Sequence, residues 1–321
     1  MNSLVFVSLL PVVVLIAIGF IAGSARWIRV VAVKDLASLV FLLLAPALLF
    51  RTMSTVHVEQ LDFKPVAAYF LAVIILFGAT LLLQGFNRRA AVLALASTFS
   101  NTVMIGIAMI GLMYGPPGLV TLLTLVSVHS LVLLTSATLV LELAVAHEQK
   151  PGGAEGVKAA PRHPLIIVLM ALKNAFLHPV PLPIIGGLLF AQTGLAIPDV
   201  LDRPLALLAN AFGPLALVLV GVTLANTPVG NYWRPALALA AVKNLLHPLL
   251  VFGLCRLLGV SGLPMVVMVV ASALPIGANV FLFSQRYKVA EELITASVVV
   301  STALALLTLT LVLLLVGRLA L

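Results

Sequence analysis

Apolar residues run through this chain in blocks of roughly twenty, and polar or charged residues gather between the blocks. About 20 apolar residues, rising ~1.5 Å each, span a hydrocarbon core ~30 Å thick. By that rule the pattern predicts ten spanning helices, near residues 4–23, 35–53, 65–85, 91–113, 118–143, 178–195, 204–225, 235–258, 263–285 and 292–317. One long polar stretch interrupts the series, AHEQKPGGAEGVKAAPRHP at 146–164, and its Gly, Pro and charge mark a linker. It divides the chain into a first unit of five helices, 1–145, and a second, 165–321. The segment LIIVLMALKNAF (165–176) reads equally as an interfacial helix or as an early part of the sixth span. The N-terminus, MNSLVFV, has no basic region ahead of its apolar run, so residues 4–23 are expected to stay as a span rather than be cleaved.

The basic residues between blocks set an orientation. Arg26, Arg29, Lys34, Arg88, Arg89, Lys150, Lys158, Arg162, Lys173, Arg234, Arg286 and Lys288 fall on one side; Arg51, Lys64, Arg203, Arg256 and Arg318 fall on the other. The richer side is expected in the cytoplasm. That places the linker inside and both termini outside, in the inner (plasma) membrane. Five helices per unit is an odd number, so two similar units would lie in opposite orientations. The expected fold class is an all-α polytopic membrane protein with two inverted five-helix repeats.

Composition agrees. The 321 residues are 63% hydrophobic and 9% charged, with a mean hydropathy of +1.25, against about 25% charged in soluble domains. The net charge of +8 would suit nucleic acid if it lay on one face, but it lies between the apolar runs and reads as a topology signal. No nucleic-acid partner is expected. A single cysteine, Cys255, leaves no intramolecular disulfide. There is no GxxxxGK[ST], GxSxG or HExxH, so neither an ATP site nor a membrane hydrolase is indicated, and no cofactor or bound metal is expected. No Asp or Glu lies near mid-membrane, Glu142 being close to the end of its helix, which argues against a carboxylate-based antiporter.

Two spans carry residues that do not suit a plain helix. The ninth holds ASALPIGANVFLF (271–283), with Pro275, Gly277 and Asn279 in five residues. Proline removes a donor and clashes with the preceding turn. In hydrocarbon, irregular backbone survives only against protein or a water-filled cavity. The fourth span holds ASTFSNTVMIGIAM (96–109), which also begins Ala-Ser and places Ser100, Asn101, Thr102 and Gly106 mid-span. At ~1.5 Å per residue, all of these fall near the midplane. Paired breaks in two halves point to a transporter's binding site. New helix ends there expose N–H groups that attract anions and carbonyls that attract cations. The plainer alternative is a proline that kinks a packed helix. It applies more readily to Pro46 and Pro214, which the second spans of the two halves share.

FSNTVMIGIAM with its YGPPG loop, the following LLTLVSVHSLVLLTSATLVLE, and ALPIGANVFLFSQRY resemble the auxin efflux carrier family, most closely its bacterial branch of proposed malonate carriers. The likeness covers most of the chain. It implies ten helices in two inverted repeats, broken fourth and ninth helices that cross in a mobile core, and a scaffold of the first, second, sixth and seventh helices. It also implies movement of organic anions by alternating access, and a scaffold-mediated homodimer. One position departs from the family pattern: Ala108 stands where relatives often have proline, which leaves Gly106 to permit the break in the fourth helix.

Ionisable residues inside spans are functional candidates by default. Lys243, in AVKNLLHPLL, lies ~12 Å into its helix and shares a face with His247. It reads as a carboxylate partner, as a side chain snorkelling to the interface, or as a contact for broken-helix carbonyls. His129, among Thr124, Ser127 and Ser130, is a packing residue or a proton carrier. GFIAG (19–23) has the small-xxx-small spacing of close helix packing. These readings converge on a secondary carrier of a small organic acid anion, malonate first. The expected substrate site comprises Ser100, Asn101, Thr102, Gly106, Lys243, Pro275, Gly277 and Asn279. A sodium ion on carbonyls and Asn or Ser oxygens, or a proton on His129 or His247, are open routes for coupling, and simple electrogenic uniport is open as well. The rivals are an exporter of a larger aromatic or amphipathic acid on the same fold, and a non-transporting sensor or enzyme.

Overall fold

Helix forms within every apolar block. The computed structural model describes residues 2–148 and 180–319, apart from 58, 60 and 228. In chain order the helices are α1 (Asn2–Ser24), α2 (Val30–Met53), α3 (Lys64–Gln84), α4 (Arg88–Thr98), α5 (Thr102–Glu148), α6 (Pro181–Ala191), α7 (Asp199–Asn226), α8 (Gly230–Leu257), α9 (Gly262–Ala273), α10 (Asn279–Tyr287) and α11 (Glu291–Leu319). Among the described residues there is no strand, only one isolated bridge. Helices α2, α3, α5, α7 and α8 are long and apolar enough to cross a membrane, and α11 joins them when its two parts, bent by 51°, are counted as one span. The protein is all-helical and passes the membrane several times. The first three residues of the expected linker, 146–148, extend α5 instead. The rest of 146–164, and 165–176, lie outside the described residues.

Helix α5 has 47 residues. Run straight it would reach ~70 Å, more than twice the hydrocarbon thickness. It does not run straight. Gly115 has φ +59° and ψ −154°, a region that glycine adopts without penalty, and Pro116 and Pro117 follow. A Cβ placed on Gly111 would lie 3.5 Å from Leu119, and one on Gly106 3.6 Å from Leu122. Residues so far apart in sequence meet only if the chain folds back. The α5 segment is therefore a hairpin of two helices that turns at Gly115, between the fourth and fifth apolar blocks.

Two prolines leave their mark in wide helical turns. The π-type turns Val40–Leu44 and Val242–Leu246 each lie just ahead of a proline, Pro46 and Pro248. A proline ring clashes with the carbonyl four residues back and offers it no donor, so the helix widens there rather than breaking. Pro214, by contrast, sits inside an uninterrupted α7.

The helices pack in two groups. Helix α1 runs along α7, and α2 packs on α6 and α7. The α1–α7 seam is backbone against backbone: Gly19 faces the Val218 carbonyl, and Gly221 faces the Ile16 carbonyl, where a side chain has no room. The GFIAG spacing is thus a packing seam. The second group gathers α3, α4, α8, α9 and α11 with the α5 hairpin. Ion pairs mark two ends of the molecule. Arg88 Nε reaches Glu148 at 2.5 Å, Arg88 Nη1 donates to the Tyr287 carbonyl, and the Tyr287 hydroxyl donates to Glu142 at 2.8 Å. The ~30 Å length of α3 separates this end from the other, where Arg51 holds Asp202 through two bonds of 2.7 and 3.0 Å.

Candidate functional site

Helix α9 ends at Ala273 because Pro275 follows. Proline forces the residue before it out of helical geometry, and Leu274 is extended, at φ −60° and ψ 150°. Helix α4 ends at Thr98, and Phe99 is also extended, at φ −82° and ψ 109°. The two extended pieces form an antiparallel bridge between Ser100 and Ile276. Asn101 N–H donates to the Pro275 carbonyl at 2.9 Å, and Gly277 N–H donates to the Phe99 carbonyl at 3.0 Å. Each break satisfies backbone groups that the other exposes, which is the condition for loose backbone in an apolar solvent. The approach requires glycine: a Cβ on Gly277 would lie 2.6 Å from Phe99 Cδ1 and 3.2 Å from the Ser100 carbonyl oxygen.

Helix resumes at Thr102 on one side and at Asn279 on the other. Asn101 caps its own segment, with Oδ1 accepting from Met104 N–H at 3.3 Å. The backbone N–H groups of Ala278 and Asn279, and the Asn279 amide side chain, have no hydrogen-bond partner among the described residues. A cavity of about 240 Å³ opens where the two helices restart. Ser100, Asn101, Thr102, Gly277 and Asn279 line it, together with Phe99, Val103, Met104, Ala278 and Ser130. Phe41 of α2 and Val180, just before α6, close it from the other helix group.

Five of the residues expected at the site therefore share one cavity. The others stand apart. The break in the fourth block falls at 99–101, not at Gly106, which lies inside the resumed helix and leaves room for Leu274, 2.8 Å from where its Cβ would be. Pro275 contributes the break and a carbonyl to the bridge, without lining the cavity. Lys243, His129 and His247 are buried away from the lining. Phe41 and Val180 carry no polar signal by which sequence could single them out. Ser130 had one, its place beside His129.

Lys243 sits on the far side of the α9 break. In a continuous helix the carbonyls of Ser272 and Leu274 would accept from residues 276 and 278. Here Ile276 N–H turns to Ser301 Oγ at 3.2 Å, and the two carbonyls are left open. Lys243 Nζ donates to both, at 2.6 Å and 2.7 Å. A cation at a helix C-terminus also complements its dipole. The wide turn ahead of Pro248 helps to bring the adjacent residues Lys243 and Asn244, and then His247, into the interior together. Tyr69 of α3 stands between the histidines. Its hydroxyl lies 3.0 Å from Ser100 Oγ and 3.2 Å from His129 Nε2, and its ring centroid is 5.3 Å from that of His247. Tyr69 was missed in the sequence, although a tyrosine inside an apolar span carries a hydroxyl that needs a partner.

The arrangement suits an anion. Two helices begin at the cavity wall and direct their positive ends toward it. Amide and hydroxyl groups of Asn101, Asn279, Ser100, Thr102 and Ser130 add neutral donors, and among the described residues no carboxylate lines the space.

The chain is similar over most of its length to one family and to a known protein. A family described as "Membrane transport protein" matches residues 4–313. A protein of Rhizobium meliloti (strain 1021) named "Putative malonate transporter" is 26% identical over 309 residues, covering 94% of this chain and 92% of that protein.

Proposed function

Because the chain belongs to the membrane transport protein family, that of the auxin efflux carriers, we propose that it is a secondary carrier of a small organic acid anion, with malonate or a similar dicarboxylate as substrate. The observation that carries this reading is the convergence of two helix starts on one cavity whose described lining holds no carboxylate. A dicarboxylate offers one charged group to each start. Asn279, Ala278 and Thr102 receive it; Lys243 contributes at a distance by holding the α9 carbonyls in place. The malonate name of the Rhizobium protein supports the same substrate class.

Ten membrane passes in two inverted five-helix halves, 1–145 and 165–321, complete the proposal, with the linker in the cytoplasm, both termini outside and the protein in the inner membrane. The cavity lies between the two helix groups, so α1, α2, α6 and α7 serve as the scaffold against which the rest moves to alternate access. Counterflow of labelled malonate into proteoliposomes loaded with unlabelled malonate, without an ion gradient, tests the function. Accumulation that Asn279→Ala reduces supports carrier and site. Unchanged counterflow in a folded Asn279→Ala protein removes the site.

Phe41, Phe99, Met104 and Val180 make part of the lining apolar and favour a second reading, export of a larger aromatic or amphipathic acid. Competition of malonate counterflow by a panel of such acids separates the two.

A further inference from the structure

Behind the bridge lies a polar cluster that does not line the cavity. Tyr69, His129, Lys243, Asn244 and His247 are all fully buried. His129 Nδ1, both ring nitrogens of His247 and Asn244 Oδ1 have no hydrogen-bond partner among the described residues. Unpaired buried polar atoms are rare and costly, and four in one cluster require a reason. The cluster is not isolated from the cavity. Ser100 lines the cavity, its hydroxyl lies 3.0 Å from that of Tyr69, and the Tyr69 hydroxyl lies 3.2 Å from His129 Nε2. Three titratable or hydroxyl groups in line form a path along which a proton can pass.

We propose that His129 is the proton site of a proton-coupled carrier, loaded from the cavity through Ser100 and Tyr69; this rests on the carrier reading above. The step balances. In the tautomer with its proton on Nδ1, His129 accepts the Tyr69 hydroxyl proton at Nε2. Tyr69 takes the Ser100 proton, and Ser100 takes one from hydronium in the cavity. One proton moves inward and no residue other than His129 changes charge.

The groups facing His129 decide the sign of the coupling. Tyr69 comes from α3, and Lys243 and His247 from α8; none of them is paired with a carboxylate, since the ion pairs of the described residues lie elsewhere. Imidazolium would place a second positive charge in a low-dielectric space with the Lys243 ammonium. An anion in the adjoining cavity offsets that repulsion. The proton and the anion therefore each favour binding of the other, and by reciprocity of linkage they travel together. An ordered water is the structural alternative for the orphaned atoms; it satisfies them without any proton flux.

Proteoliposomes holding the full chain and a trapped pH dye, with the membrane potential clamped by potassium and valinomycin, test this. Malonate counterflow is measured first, then lumenal acidification on addition of external malonate. About one proton per malonate, and malonate accumulation driven by an alkaline interior, are expected. Tyr69→Phe and His129→Gln, each checked for folding by size exclusion, should lower the proton-to-malonate ratio at least tenfold, whatever rate remains. Counterflow in the wild type with no acidification and no effect of the pH gradient overturns the proton site and leaves the carrier standing. No counterflow for malonate or for any acid of the competition panel removes the carrier reading and the coupling with it.

Discussion

At Lys243, charge, burial and backbone chemistry meet in one side chain. Its ammonium replaces the donors that the α9 break took away from the Ser272 and Leu274 carbonyls. Lys243→Met keeps the bulk and removes the donor, leaving two buried carbonyls open, at about 1–3 kcal/mol each. The expected outcome is a lower unfolding temperature of the purified protein as well as lost transport, measured by thermal shift in detergent. Asn279 should behave oppositely. Its amide has no partner to lose among the described residues, so Asn279→Ala should leave stability within ~0.5 kcal/mol. Malonate affinity should fall about 10- to 100-fold, the equivalent of a ~1.5–3 kcal/mol hydrogen bond to a charged group. Affinity and thermal shift measured on the same preparation check both halves of that statement. At Gly277 the limit is space. A methyl there would press on Phe99 and part the bridge. Gly277→Ala is expected to cost ~1–3 kcal/mol and to slow transport, because it acts on the cavity wall itself.

At the scale of elements, the unusual helices matter more than the regular ones. The wide turn Val242–Leu246 exists because Pro248 denies a donor to the turn before it. Pro248→Ala restores that donor, and the expected result is a regular helix in which Lys243 and Asn244 are displaced from Ser272 and Ser301. Transport should drop while helix content stays the same, which uptake and circular dichroism together would show. How much of this was readable beforehand follows from the same physics. The α9 break was, because Pro275, Gly277 and Asn279 violate helix chemistry in plain view. The helix hairpin was too, from YGPPG. The α4 break was located only loosely: Phe99 leaves the helix to pair with residues of α9's far end, and nothing in TFSN marks that on its own. For Lys243 the contact with broken-helix carbonyls, one of its three readings, is the one observed; which carbonyls could not be read, because they are freed about thirty residues later and a free carbonyl has no letter in the sequence. Phe41 and Val180 reach the cavity only through the packing of two helix groups, which no local pattern encodes.

At the scale of the whole molecule, the two groups of helices differ in how they hold together. The α1–α7 seam brings backbone to backbone at Gly19 and Gly221, a close packing that small residues allow inside lipid. Gly221→Leu is expected to prevent the seam from closing, with loss of the monodisperse peak in fluorescence-detected size exclusion, whereas Gly78→Leu, with open space around it, should be silent. The bridge between Ser100 and Ile276 has a consequence for biogenesis. The chain emerges from the ribosome from one end, and its first partner is made about 175 residues before its second; at ~5–20 residues per second the wait is on the order of ten to thirty seconds. During that time the Phe99 carbonyl and the Asn101 amide have entered the bilayer without their mates. The nascent first half must be sheltered by the insertion machinery, or kept wet, until residue 277 arrives. Nonsense truncations before Pro275 should accordingly be recognised as unfinished and degraded far faster than truncations after Tyr287.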